Sequence, residues 1–283
     1  MIKIENVETL GWEAAVRGMR NPMNSWEKSD SDYRLILCKR CDNCISYKLE
    51  RWDDCKNCEV EKECDSHSGF MIGPNDLNLM IRLVNAGIDH RKFMRMIVVY
   101  CDITAPLYWW KEFDTYKVGT VANSCSTMHK IADKEFTHED FSINKLAEIT
   151  GADLELLDEY RNLGDMESVR CDLARYRYYF NIDDTIFNLN FARSLYMAAD
   201  KNLKRGDLTD DEKKRITAQK KKFWWQMIQL LPSSYNQKRT VMLNYEVIAN
   251  MYKSRKSHKL DEWVELMTYF KENLPYSELF TGE

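Results

Sequence analysis

This sequence predicts an α+β fold, and three observations carry the expectation. Glycine and proline are sparse, at 10 and 5 of 283 residues, which favours helix over glycine-rich turn architectures. Hydrophobic residues make up 44% and aromatic residues 12%, enough to bury a sizeable core. A strand pattern followed at once by a helical one occurs twice, near the N-terminus and again before the middle of the chain.

In the first of these units Ile2, Ile4 and Val7 alternate as in a short strand, and Trp12, Ala15, Val16 and Met19 then recur on one helical face. Leu77, Leu79, Met80, Leu83 and Val84 form a second helical stripe that ends near Gly87, a glycine stop. The second unit begins with Met94 to Thr104, β-branched in its middle and read as a strand. Ala105-Pro106 punctuates it, and a buried aromatic helix from Leu107 to Phe113 is expected to start beside the proline, where a missing N–H costs little. Residues 136 to 206 read as mostly helical. Thr209-Asp210-Asp211-Glu212 has the Thr-x-x-Glu form of a capping box, and a helix runs from it to Leu231, where Pro232 stops it. Two further helical patterns cover Thr240 to Lys253 and His258 to Asn273. No internal repeat is present.

Composition narrows the function classes. A formal net charge of −4 gives no global attraction to nucleic acid. No run of eighteen apolar residues occurs, so no membrane span is expected. The opening Met1-Ile-Lys-Ile-Glu-Asn-Val lacks the order of a secretory leader, which places the nine Cys in a reducing cytoplasm, with disulfides the minor reading.

Residues 29 to 73 differ in kind, rich in Cys, Asp, Lys and Asn with little periodicity, and read as an inserted lobe. Cys38, Cys41 and Cys44 are spaced by two residues, as are Cys55 and Cys58, with Cys64 and His67 beyond. Two Cys-x2-Cys hairpins can wrap one tetrahedral ion, and soft thiolates suit structural zinc. Cys41, Cys44, Cys55 and Cys58 are the central choice within that set, with iron–sulfur ligation and a metal-free loop as the alternatives. The run Lys213-Lys-Arg to Lys222, followed by Phe223-Trp-Trp225, mixes cations with aromatics. A solvated helix face explains it better than a nucleic-acid platform, because the acidic stretch from Asp207 to Glu212 lies beside it and its periodicity is helical.

Three blocks carry a resemblance. The first runs from Ala105-Pro-Leu-Tyr-Trp-Trp-Lys-Glu-Phe-Asp-Thr-Tyr-Lys117 through Asn123 and Ser126 to Lys130; the second is Leu230-Leu-Pro-Ser-Ser-Tyr-Asn-Gln-Lys-Arg239. The third passes through Asn244, Asn250 and Arg255 to His258-x-x-x-Glu262 and closes Asn273-Leu-Pro-Tyr-Ser-Glu-Leu-Phe280. Together they resemble the flavin-dependent thymidylate synthase family, enzymes that methylate dUMP with reduced FAD and a methylene-folate. The resemblance covers residues 1 to 28, 74 to 135 and 223 to 281. It implies a single domain over 1 to 283 with an antiparallel sheet and packed helices, into which residues 29 to 73 and 136 to 208 are inserted, and a homotetramer with ligand sites between subunits.

The resemblance also implies roles. Lys117, Asn123, Asn250 and His258 stand at positions that would meet FAD, and Ser126, Lys238, Arg239, Asn244 and Arg255 at positions that would hold dUMP or a related pyrimidine nucleotide. Methylene-folate and NADPH are implied if the protein turns over. Thr115-Tyr116-Lys117 stands where the family has Arg-His-Arg, and Met128 stands at the arginine of its Ser-x-Arg. No catalytic residue is assigned. A family-derived protein that has kept nucleotide binding or a partner surface without turnover is the second expectation, and a zinc-containing nucleic-acid-binding protein the third.

Overall fold

The computed structural model describes residues 2–36, 67–145 and 182–282. Four strands form one antiparallel sheet: β1 (Lys3–Leu10), β4 (Val98–Pro106), β6 (Asn236–Asn244) and β5 (Thr120–Ser124), side by side in that order. Two more strands, β2 (Asp32–Ile36) and β3 (His67–Met71), pair antiparallel as a separate ribbon that brackets residues 37–66. The helices are α1 (Trp12–Arg20), α2 (Pro74–Asn85), α3 (Leu107–Phe113), α4 (Thr127–Lys130), α5 (Ile182–Leu203), α6 (Asp210–Leu230), α7 (Tyr245–Arg255), α8 (Asp261–Asn273) and α9 (Glu278–Thr281). The α+β expectation holds, antiparallel sheet and packed helices included.

Alternation along the central strands decides where the core lies. Val99, Cys101, Ile103 and Ala105 of β4 and Val241 and Leu243 of β6 are buried beneath the helices. Trp109, Trp110 and Phe113 of α3 join Tyr245, Ile248 and Met251 of α7 and Trp263, Leu266 and Phe270 of α8 in that same core. Trp109 packs against Trp110 and Trp263 with centroids 4.8 and 4.7 Å apart. Trp110 satisfies its indole N–H on the Gln237 carbonyl at 2.9 Å. Burial also pushes the Cys101 thiol up to about 12, so it is an inert core group.

The opposite sheet face is open. Leu10, Tyr100 and Val121 stand exposed at one end. At the other, Asp102 accepts from Thr240 (2.6 Å) and Asn6 (2.9 Å) and pairs with Lys238 (3.2 Å). These bonds hold the Asp102 carboxyl down at about 2. A second, smaller core lies where α5 and α6 pack on residues 131–141, with Leu189, Ala192 and Met227 against Ile131, Phe136 and Phe141. Asp200 clamps the two helices through Lys220 at 2.5 Å.

Most sequence expectations for the elements hold. The strand and helix at the N-terminus, the aromatic helix after Pro106 and the capping box of Thr209 with Glu212 are all present. Thr240 to Asn244 is a correction: it is the end of β6, and the helix begins only at Tyr245. The strand runs into α7 with no intervening turn, because the Asn244 side chain caps the helix by accepting from the Val247 N–H at 3.0 Å. A strand and helix fused in this way share one unbroken apolar run.

The four candidate zinc ligands, Cys41, Cys44, Cys55 and Cys58, lie outside the described residues. Among the described residues no group of three His, Cys, Asp or Glu side chains is placed to hold a metal ion. Among them, too, no helix is long and apolar enough to cross a membrane.

Candidate functional site

Helix α3 cannot shift, since three of its seven residues are buried aromatics, and its end therefore fixes where the following turn begins. Asp114 opens that turn and is held by Arg239, which pairs with it at 2.7 Å, donates to the Gln237 side chain at 3.0 Å and lies 4.2 Å over the Trp110 ring. Thr120 closes the turn by donating its hydroxyl to the Tyr116 carbonyl.

Gly119 lets the turn lie flat against α7. Its φ is +81°, and a Cβ there would sit 2.9 Å from both Asn244 Nδ2 and Val247 Cγ2. A Gly119→Ala protein is accordingly expected to lose about 1–2 kcal/mol, from left-handed strain and the shift of neighbouring groups. Urea melts would read the loss as a lower midpoint at unchanged slope.

At the far end of α7 the same turn meets Arg255. The guanidinium donates through Nε to the Tyr116 hydroxyl (3.0 Å) and through Nη1 to Glu112 Oε2 (2.6 Å), with His258 Nε2 at 2.7 Å from Nη1. Trp263 steadies Glu112 by donating its indole N–H to the same oxygen at 3.2 Å, and the guanidinium lies 4.9 Å over the Trp263 ring. An imidazole has at most one acceptor nitrogen, so His258 accepts either this guanidinium N–H or the Leu260 backbone N–H that points at Nδ1 from 3.2 Å. Among the described residues nothing accepts from Nη2, so two donors of a pre-oriented fork stay uncommitted. Such an edge suits a phosphate or carboxylate.

Around this arginine the structure gathers several of the sequence-expected residues. Lys117 is exposed in the turn, next to the Tyr116 that touches Arg255, and makes no ion pair among the described residues. Asn250 is exposed on α7, one turn from Ser254, whose hydroxyl lies 3.1 Å from that of Tyr116. Asn244 caps the near end of the helix, and Arg239 supports the turn from beneath. Lys117, Arg239, Asn244, Asn250, Arg255 and His258 therefore share α7 and its adjoining segments.

The others stand apart within one chain. Lys238 lies on the open sheet face, engaged by Glu5 (3.3 Å) and Asp102 (3.2 Å). Asn123 is opposite Thr240 in the β5–β6 ladder and so shares that open face. Ser126 caps α4, its oxygen accepting from the His129 N–H at 3.2 Å. A cleft of about 610 Å³ lined by Arg20, Lys28, Asn75 and Arg82, among others, shares no residue with the Arg255 cluster.

Sequence reasoning missed Glu112, Tyr116 and Trp263. Glu112 and Arg255 are 143 positions apart, and no local spacing marks such a pair. The one available signal was that Thr115-Tyr116-Lys117 stands where the family resemblance puts Arg-His-Arg.

No protein-family model matches the chain, and no curated protein matches its sequence. Among solved structures it is similar to thymidylate synthase X (ThyX) from Helicobacter pylori with FAD and dUMP. That likeness covers 100% of this chain and 98% of the other, with a TM-score of 0.50 and 14% sequence identity. A second structure, the flavin-dependent thymidylate synthase ThyX from Helicobacter pylori complexed with FAD and dUMP, has a TM-score of 0.48 and 14% identity over 99% of this chain and 98% of that one. At such identity the likeness is one of fold.

Proposed function

We propose that this chain is a divergent flavin-dependent thymidylate synthase-like protein that holds dUMP or a related pyrimidine nucleotide beside FAD, for one-carbon transfer to uracil C5. The observation that carries this reading is Arg255, clamped by Tyr116 and Glu112 with its Nη2 edge uncommitted. Fold likeness to a structure that contains FAD and dUMP supports it.

In this reading Arg255 takes the nucleotide phosphate on its free edge, while Asn244 and Arg239 keep the adjoining turn and helix in place. Lys117, an exposed cation without an ion pair among the described residues, suits the flavin pyrophosphate, and the Asn250 amide and His258 ring suit polar contacts to the same cofactor. Reduced flavin supplies the hydride when bound. Lys238, Asn123 and Ser126 join the site only from a neighbouring subunit, which agrees with the homotetramer that the family resemblance implies. The chain is then one domain, with residues 29–73 and 136–208 inserted into it.

A second reading keeps binding without turnover, and the side chains at the motif positions favour it. Tyr116 spends its hydroxyl on Arg255 and Ser254, and Met128, 48% exposed, offers no charge where the family has arginine. One absorption experiment separates the two. An enzyme is expected to purify yellow or to take up FAD, to bleach with NADPH, and to recover colour only when dUMP and methylene-folate are both added. Flavin that binds and bleaches but never recovers identifies the binder. A protein that takes up no flavin contradicts the flavoprotein reading.

A further inference from the structure

Two of the three guanidinium nitrogens of Arg255 are already spent on the protein, Nε on the Tyr116 hydroxyl and Nη1 on a charge. Nη1 lies 2.6 Å from Glu112 Oε2, which also accepts from the Trp263 indole at 3.2 Å and stands 3.6 Å from His258 Nε2. Glu112 and Arg255 are both partly exposed, so their pairing adds little to stability. The packing does not require a charge at this point either. A neutral amide oxygen could accept the same two N–H groups. Nη1 and Nη2 hang from one carbon and a hydrogen bond spans about 3 Å, so any anion taken by Nη2 lies within about 8 Å of Glu112 Oε2. That is no more than the screening length at physiological salt, also about 8 Å, and the anion therefore meets the carboxylate as well as the arginine.

We propose that Glu112 is a specificity-determining residue that levels the site between phosphates of different charge, so that a singly charged phosphodiester is accepted nearly as well as a doubly charged monoester. The inference rests on the reading that Arg255 takes the nucleotide phosphate. A phosphate monoester carries nearly two negative charges at neutral pH, because its second ionisation lies near pH 6, and a diester carries one. Beside a lone arginine the second charge is rewarded. Beside an arginine already paired with a carboxylate, Glu112 takes back much of what Arg255 gives. What the Nη2 edge still offers is directional hydrogen bonding, and the oxygens of both kinds of phosphate can accept it. The substrate class this adds is a pyrimidine nucleotide whose phosphate is esterified on both sides, as in a dinucleotide. Lys117 stands exposed in the adjoining turn, and its charge is common to every protein compared below.

Calorimetric titration of the full chain at about pH 8 with dUMP, with its 5′-methyl ester and with deoxyuridine tests it, on the wild type and on Glu112→Gln. The wild type is expected to bind dUMP and the ester within about threefold of one another, and both more tightly than deoxyuridine. Glu112→Gln keeps an acceptor for Arg255 and Trp263 and removes only the charge. It should tighten dUMP about tenfold and the ester about threefold, in proportion to ligand charge, and leave deoxyuridine unchanged. A residue that merely positions Arg255 would give the opposite sign, with both phosphates bound more weakly in the variant. A wild type that prefers dUMP to the ester by tenfold or more, or a Glu112→Gln protein whose dUMP affinity is unchanged or weaker, would overturn the proposal while leaving the phosphate site itself intact. The wild-type comparison needs no variant, so it decides the matter even if Glu112→Gln folds poorly. If neither phosphate binds the wild type more tightly than deoxyuridine, the reading of Arg255 as the phosphate site fails and the proposal falls with it.

Discussion

Replacing Asp76 by alanine is expected to cost about 3–5 kcal/mol, the largest loss expected from a single polar substitution among the described residues. Asp76 is fully buried and Arg20 is 5% exposed, and they meet at 2.6 Å. The carboxylate also accepts from the Ser29 and Ser31 hydroxyls at 2.6 Å and from the backbone N–H groups of Asp30 and Ser31 at 3.2 Å. Arg20 in turn donates to the Ser25 and Lys28 carbonyls. One ion pair thus ties α1, the irregular segment after it and the first turn of α2 together. Truncating Asp76 strands a guanidinium in a site it cannot leave. Against a typical total stability of about 5–15 kcal/mol, such a loss would unfold a large fraction of molecules at modest denaturant concentration.

A control separates the stranded charge from the lost contact. Changing both partners, as Arg20→Met with Asp76→Leu, should cost far less than Asp76→Ala alone, because no unpaired charge remains. The pH dependence has a defined sign. Burial pushes the Asp76 pKa up, but the bonds from Ser29, Ser31 and Arg20 outweigh it and leave the carboxyl below its ordinary value. Its contribution is therefore fully present above roughly pH 4 and is lost as pH falls through the depressed folded value. The gap in urea midpoint between wild type and Asp76→Ala should narrow accordingly on acidification.

The second large effect is on binding. Arg255→Ala is expected to weaken pyrimidine nucleotide binding by roughly 2–5 kcal/mol, some thirtyfold to several thousandfold, since it removes the charged fork that the phosphate would take. Stability should change little. The Arg255–Glu112 pair is partly exposed, at 19% and 35%, which limits its worth to about 1 kcal/mol or less. Glu112 also keeps its bond from the Trp263 indole. Arg255→Lys should recover only part of the affinity, because an ammonium keeps the charge but not the planar edge or its stacking on Trp263.

How far the sequence could be read depended on the range of the interaction concerned. β4 was legible because the middle of Met94 to Thr104 is β-branched, and α6 because Thr209 and Glu212 announce its first turn three residues apart. The strand half of the β6–α7 run was not, because Val241, Leu243, Tyr245 and Val247 continue one apolar series across the boundary and only the Asn244 cap divides it. Arg255 could be singled out because it falls in the third block of the family resemblance, between Asn250 and His258. Its partners could not: Tyr116 and Glu112 reach it only because a rigid aromatic helix ends beside α7. The Arg20–Asp76 pair escaped notice for the same reason, its members lying 56 positions apart with no pattern between them. Lys238 and Arg239 looked equivalent as neighbours, yet strand alternation sends one to the open face and the other under α3.

In the proposed function the end of α7 holds a phosphate. Calorimetric titration of the wild-type protein with dUMP and with deoxyuridine, repeated on Arg255→Ala, addresses it most directly. The expected result is that dUMP binds at least about tenfold more tightly than deoxyuridine to the wild type, and that Arg255→Ala erases the difference. Equal affinity for the two ligands in the wild type, or a preference for dUMP that survives in Arg255→Ala, would contradict the claim.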